Sequence, residues 1–262
     1  MKRKLYITAV RDAVSGRAFP VAFSVLALFS LLFAGASVRG GRLEYYAAMS
    51  NWFVDPELCV VILATVLIPR SAAGIFENQF FDVEKTTRVR IGSYLFCRIL
   101  GHTTVLWGAW NAFSICTILN HVWNNYSFVQ FGGKAADLWL RFGYSEFLII
   151  LPCCFCMAAV ATVLTVLFRK ALPVVVCLSA WIIGLLSTQY LKDYLFVKLL
   201  FPGLYFSGFI RTYKSTAAMS GLTGGENPYS LQRALLWTGY VLLIAVLMFF
   251  VGCRDLKKRN SI

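Results

Sequence analysis

Few residues in this chain have the type and spacing to do chemistry, and most point away from it on closer reading. Cys153-Cys154-Phe155-Cys156 has the thiol density of a soft-metal site. It sits in an apolar helical segment, where adjacent positions point in different directions, so the three thiols do not converge on one ion. The eight cysteines, at 59, 97, 116, 153, 154, 156, 177 and 253, nearly all fall within or at the ends of apolar runs. That is the placement of a small buried hydrophobe, and no disulfide framework is implied. The two histidines, His102 and His121, lack the HExxH spacing of a membrane metalloprotease. His102, alone in an apolar run, reads as a packed or hydrogen-bonded side chain rather than a ligand. No Gly-x-x-x-x-Gly-Lys-Ser/Thr loop is present, so the chain does not hydrolyse ATP alone by that route, and there is no Gly-x-Ser-x-Gly elbow. Glu146 is the exception to a near absence of acids inside apolar runs, and its place near a run's end is where a carboxylate stays hydrated. Ion-coupled carriers spend costly intramembrane charges on coupling, so their scarcity argues against a self-powered carrier.

The distinctive polar stretch is Phe76-Glu77-Asn78-Gln79-Phe80-Phe81-Asp82-Val83-Glu84-Lys85-Thr86-Thr87-Arg88-Val89-Arg90-Ile91-Gly92. Phe80, Phe81 and Val83 give it an apolar side, and Asp82, Glu84, Lys85 and Arg88 a polar one. Such a segment can lie on a membrane surface and offer itself to a soluble partner, where an ordinary loop would simply be solvated.

The elements around these residues are apolar runs of membrane-spanning length. A hydrocarbon core takes ~20 apolar residues of helix to cross. Six runs qualify: 20–38, 56–76, 93–119, 144–168, 171–191 and 231–251. The chain is 59% hydrophobic and 14% charged, against roughly 45–50% and 25% in a soluble domain, and its mean hydropathy is +0.69. No linker-like or low-complexity tract divides the 262 residues, so one transmembrane domain over 1–262 is expected.

The net charge of +13 is explained by its placement rather than by nucleic acid. Lys2, Arg3, Lys4, Arg11 and Arg17 precede the first run; Arg70, Lys85, Arg88, Arg90 and Arg98 surround the second connection; Arg169 and Lys170 lie between the fourth and fifth runs; Arg254, Lys257, Lys258 and Arg259 follow the sixth. With six spans all of these share one side, which the positive-inside rule makes the cytoplasm, facing anionic lipid. Both termini are expected there, in a multi-pass protein of the cytoplasmic membrane. The opposite loops also carry Arg39, Arg42, Lys192, Lys198, Arg211 and Lys214, so the bias is moderate.

Residues 1–19 read either as an amphipathic lead-in able to lie at the interface or as a plain positive flank that sets orientation. The first run is expected to be retained rather than cleaved, Ala34–Ser37 being a poor processing site. Asp55-Pro56-Glu57 reads as a helix start. Arg70 is placed to snorkel from the inner end of the second run. Residues 39–55 and 120–143 read as outer loops with interfacial aromatics. Residues 192–230 contain an apolar piece, 194–210, broken by Pro202-Gly203 and Gly208, which reads as a re-entrant or interfacial helical hairpin.

A six-span domain without an energy source, with a candidate docking segment in its first cytoplasmic connection, suggests a permease driven from outside. On these features the chain resembles the type-2 permeases of ABC exporters. That family has six spans, an interfacial amphipathic N-terminal helix, a cytoplasmic coupling helix between spans two and three, and a broken extracellular hairpin between spans five and six. Members often carry a Glu at the end of span two, then a Gly-Thr, then a basic residue before span three; this chain has Glu77, Thr86-Thr87, and Arg88, Arg90 and Arg98. Its tail, Cys253-Arg254-Asp255-Leu256-Lys257-Lys258, is similar to the family's aromatic-x-x-Arg-Asp-type ending.

The resemblance implies an all-α membrane protein without a catalytic residue, cofactor or metal of its own. Two copies of an ABC ATPase subunit would bind ATP and Mg, and a second permease, identical or related, would complete the transporter. Coupling would fall to Glu77, Phe80, Phe81, Asp82, Glu84, Lys85 and Arg88, and an extracellular gate to Pro202, Gly203 and Gly208. The substrate path would run between the permease halves, lined by spans two and five. Apolar, aromatic-rich spans suit export of an amphipathic cargo, a peptide (antimicrobial peptides included) or a drug. Export of a polysaccharide or lipid-linked glycan is the alternative within the family. Outside it stand a non-transporting scaffold or sensor and an integral-membrane enzyme, the latter needing a convergent reactive group.

Overall fold

A computed structural model describes residues 2–32, 59–72, 90–124, 146–168, 174–176, 179 and 231–260. The described residues are helical, with no strand among them. In chain order the helices are α1 (Lys2–Val14), α2 (Ala18–Leu32), α3 (Cys59–Ala72), α4 (Ile91–Asn124), α5 (Leu151–Phe168), entered through a π-helical turn at Glu146–Ile150, and α6 (Leu231–Asn260).

Among the described residues, two stretches are long and apolar enough to cross a membrane: Leu151–Phe168, with mean hydropathy 2.3, and Thr238–Lys258, with 1.9. The first lies in the fourth apolar run of the sequence and the second overlaps the sixth. A third passes if Arg3–Val14 and Ala18–Leu32, bent by 65°, count as one span. The expected six spans are therefore not all present as such among the described residues. The 14 described residues of α3 cover ~21 Å at ~1.5 Å per residue, against a hydrocarbon thickness of ~30 Å. Helix α4 has 34 residues, ~51 Å, but is too polar to qualify on composition. The physical reason is its position: α1, α2, α5 and α6 all pack on it, so protein rather than lipid meets its Arg98, His102, Thr103 and Ser114, all buried. It also runs to Asn124, into what reads as outer loop in the sequence, just as α6 carries on past the apolar run through the basic tail. The fifth run, 171–191, lies outside the described residues apart from 174–176 and 179.

The helices order themselves by burial. In Leu151–Phe168, which has no charged residue, 67% of residues are inside the protein; in Thr238–Lys258 only 22% are. Helix α6 accordingly shows an apolar stripe of Leu236, Leu243, Leu247 and Phe250 to its surroundings, and α2 shows Val21, Val25, Leu28 and Leu32. Such stripes are what a lipid environment solvates. Helix α4 is antiparallel to α5 and α6: Trp107 meets Phe147 while His102 meets Thr162, and Leu95 lies at Gly252. Helices α5 and α6 run in the same direction, from Leu148 beside Thr238 to Val163 beside Gly252.

Local sequence explains the breaks. The chain leaves α1 at Ser15-Gly16-Arg17 and re-enters a helix before Pro20, the third residue of α2, where no backbone N–H is needed. Pro152 follows the π turn and supplies no N–H to the carbonyl four residues back, that of Leu148. The Thr238 hydroxyl of α6 donates to that carbonyl instead. An orphaned carbonyl inside a membrane bundle is costly, and a hydroxyl from the neighbouring helix is the usual remedy. Two glycines set the closest approaches. A Cβ on Gly101 would stand 2.8 Å from the Ala9 Cβ and 3.2 Å from α1 backbone; one on Gly252 would stand 2.9 Å from Leu95 Cδ2 and 3.1 Å from Val163. Small residues at helix contacts are how apolar bundles gain packing energy without a hydrophobic drive between helices.

Helix α1 is amphipathic as its sequence suggests, burying Ala9 and Ala13 while Arg3, Lys4 and Arg11 stay exposed. Its buried face meets α4, so it is a packed member of the bundle.

Candidate functional site

A charged side chain on a helix of apolar surroundings needs partners, and Arg98, two turns into α4, has them on three helices. Its Nη2 lies 2.7 Å from Asp12 Oδ2 on α1, with the arginine side chain 9% and the aspartate side chain 38% exposed. Its Nε donates to Tyr94 Oη one turn back at 3.2 Å, and its Nη1 to Ser71 Oγ on α3 at 3.5 Å. The guanidinium also sits 5.5 Å from the Tyr94 ring centroid, within cation–π range.

Ser71 continues the chain of contacts inward. Its Oγ is 3.0 Å from His102 Nε2, and His102 Nδ1 is 2.8 Å from Thr162 Oγ1 on α5. A neutral imidazole has one N–H and one lone pair, so one of the two hydroxyls donates to the ring and the other accepts from it. Asp12, Arg98, Ser71, His102 and Thr162 thus form one polar seam through α1, α3, α4 and α5. Tyr6 adds a peripheral link, its hydroxyl 2.9 Å from Thr104 Oγ1. Ser30 and Cys59, 3.4 Å apart, join α2 to α3 at the far end.

The seam contains a hydroxyl–imidazole pair at the distance of a nucleophile and its base. Its surroundings oppose that use. Ser71, His102 and Thr162 are all buried, none of them lines the open crevice of this bundle, and the group that orients His102 is a hydroxyl rather than a carboxylate. What the geometry supplies is registry: each pair fixes two helices against each other, and together the pairs link α1, α3, α4 and α5.

Sequence reading places Arg98 among the cytoplasmic charges around the second connection; the structure buries it in α4. The reason is the set of partners above, which compensates its desolvation. His102 is hydrogen-bonded and packed, as its lone position in an apolar run suggests. Ser71 and Thr162 are missed by sequence reading, since small hydroxyl residues in apolar helices carry no signal by type. The available clue is Arg98 and His102 themselves, four residues apart and so on one face of α4. The thiols Cys153, Cys154 and Cys156 are buried in α5, and no group of three His, Cys, Asp or Glu among the described residues could hold a metal ion. The expected coupling residues Glu77, Phe80, Phe81, Asp82, Glu84, Lys85 and Arg88, and the gate residues Pro202, Gly203 and Gly208, lie outside the described residues.

Comparison of the chain with protein families, with curated proteins and with solved structures finds no match.

Proposed function

We propose that this chain is the permease subunit of an ATP-driven exporter, moving an amphipathic peptide or drug-like substrate out of the cell with a separate ATP-hydrolysing subunit and a second permease. The observation that carries the reading is the position of α4. It is the helix on which α1, α2, α5 and α6 all pack, and it starts at Ile91, directly after the mixed stretch that ends in Arg88 and Arg90. A partner that moves residues 80–88 therefore acts at the head of the helix that holds the bundle in register. The polar seam is the kind of element that has discrete arrangements and can be biased by a partner's differential contacts.

Two further features support the same reading. The basic residues of α1, of the start of α4 and of the end of α6 gather at one end of the bundle, as Arg98 beside Asp12 and Gly92 beside Cys253 indicate. The parallel course of α5 and α6 calls for one more crossing between them in a spanning protein, and the apolar run 171–191 has the length for it. Both termini are then cytoplasmic.

The test is recovery of the full chain from its native membrane, followed by an ATPase assay, with Glu84→Arg and Arg88→Glu as variants. Co-purification of an ATP-hydrolysing subunit, lost in both reversals, is expected. Recovery of the intact chain alone, under conditions that preserve other membrane complexes, would transfer the weight to a scaffold.

A further inference from the structure

Between α1, α4 and α6 lies an open crevice of about 500 Å³, lined by Arg3, Tyr6, Phe96, Cys97, Leu100 and Phe249 together with Gly92 and Ser93. Its volume is that of a small-molecule site, ~300–1,000 Å³, rather than of a protein interface. We propose that this crevice binds one anionic phospholipid, an acyl chain along its walls and the phosphate at Arg3.

The walls are apolar and outward-facing. Phe96 and Leu100, one turn apart on α4, are 45% and 37% exposed, high for large apolar side chains beside a packed helix. Phe249 of α6 closes the other side, its ring edge-on to Phe96 at 6.2 Å. The Tyr6 hydroxyl is already bonded to Thr104, so the ring is what faces the crevice. Among the described residues, a Cβ on Gly92 would meet Phe249 Cζ at 3.8 Å and Cys253 Sγ at 3.7 Å, ordinary contact distances.

Charge selects the headgroup. Among the described residues, Arg3 is the one charged residue lining the crevice, and no acidic one lines it. Arg90 stands two residues before Gly92, and Arg254 and Lys257 stand one to two turns beyond Phe249, all exposed. A guanidinium matches phosphate oxygens bidentately, and basic residues at this depth face the anionic inner leaflet. A zwitterionic headgroup brings its own cation to a site that already carries positive charge.

The experiment is native mass spectrometry of the full chain in mixed micelles holding equal phosphatidylglycerol and phosphatidylcholine. One retained phosphatidylglycerol per chain is expected, with little phosphatidylcholine. Arg3→Glu lowers retention about tenfold, in line with reversal of one basic residue against anionic lipid, and Arg3→Lys restores most of it. Leu100→Trp, which fills the crevice from an exposed position, lowers it as well. Lys4→Glu, the same charge change one residue along α1 and outside the crevice, leaves it in place. Equal retention of the two lipids, or equal loss in Arg3→Glu and Lys4→Glu, overturns the proposal in favour of diffuse charge attraction. Retention unchanged in Leu100→Trp overturns the crevice as its location. Arg3 is exposed on α1, so its variants report binding rather than folding.

Discussion

The ion pair of Asp12 and Arg98 is asymmetric, and the asymmetry makes a prediction. Arg98 is the enclosed partner and Asp12 the half-exposed one. Asp12→Leu leaves a buried guanidinium with only Tyr94 and Ser71, a loss of about 2–3 kcal/mol. Arg98→Met leaves a carboxylate that can hydrate, and costs about 1 kcal/mol. The double variant is more stable than Asp12→Leu alone, because no charge is stranded. Detergent-unfolding midpoints of the three chains check the order. Deeper in the seam, Thr162→Val and Ser71→Ala each cost about 1 kcal/mol, the size of an interhelical hydrogen bond in a membrane protein. The same residues show what a sequence can and cannot give at this scale. His102 announces itself as a polar residue in an apolar run, whereas Arg98 reads as one of the basic residues around the second connection. Their partners do not, because Asp12, Ser71 and Thr162 lie on other helices and are brought in by packing alone.

Helix contacts turn on single atoms. Gly101 faces the Ala9 Cβ and the α1 backbone, whereas Gly252 faces the flexible end of Leu95 and Val163. Gly101→Ala therefore costs more than Gly252→Ala, about 2 against 1 kcal/mol, since backbone cannot give way as a leucine methyl can. Faster hydrogen exchange over residues 2–14 in Gly101→Ala, with no such change in Gly252→Ala, is the expected signature. The carbonyl left open by Pro152 predicts a coupling: Thr238→Val costs about 1 kcal/mol in the natural chain and less in a Pro152→Ala background, where residue 152 regains an N–H. A double-mutant cycle on those two positions measures it. The long apolar stretches in α5 and α6 are legible in the sequence because a continuous run of apolar residues has one use. Helix α4 is legible as an apolar run but not as the hub, because which helices pack on it depends on contacts between segments distant in sequence.

At the scale of the whole molecule, a central helix with buried polar side chains, packed against α1, α2, α5 and α6, separates two tasks. The outer faces of α2 and α6 are apolar, as a lipid environment requires, while α4 carries hydrogen bonds and an ion pair to α1, α3 and α5 that a membrane makes costly to leave unmade. Under the proposed function, such a bundle would move between alternative registers rather than by gradual deformation. The claim is tested most directly in the intact membrane, with a photo-crosslinking residue in place of Phe81 and, as the opposite-side control, in place of Leu222. The account predicts an adduct between position 81 and an ATP-hydrolysing subunit, changed in yield by ATP, and none from position 222. An intact membrane-inserted chain that gives no such adduct from 81, or gives it equally from 222, contradicts it.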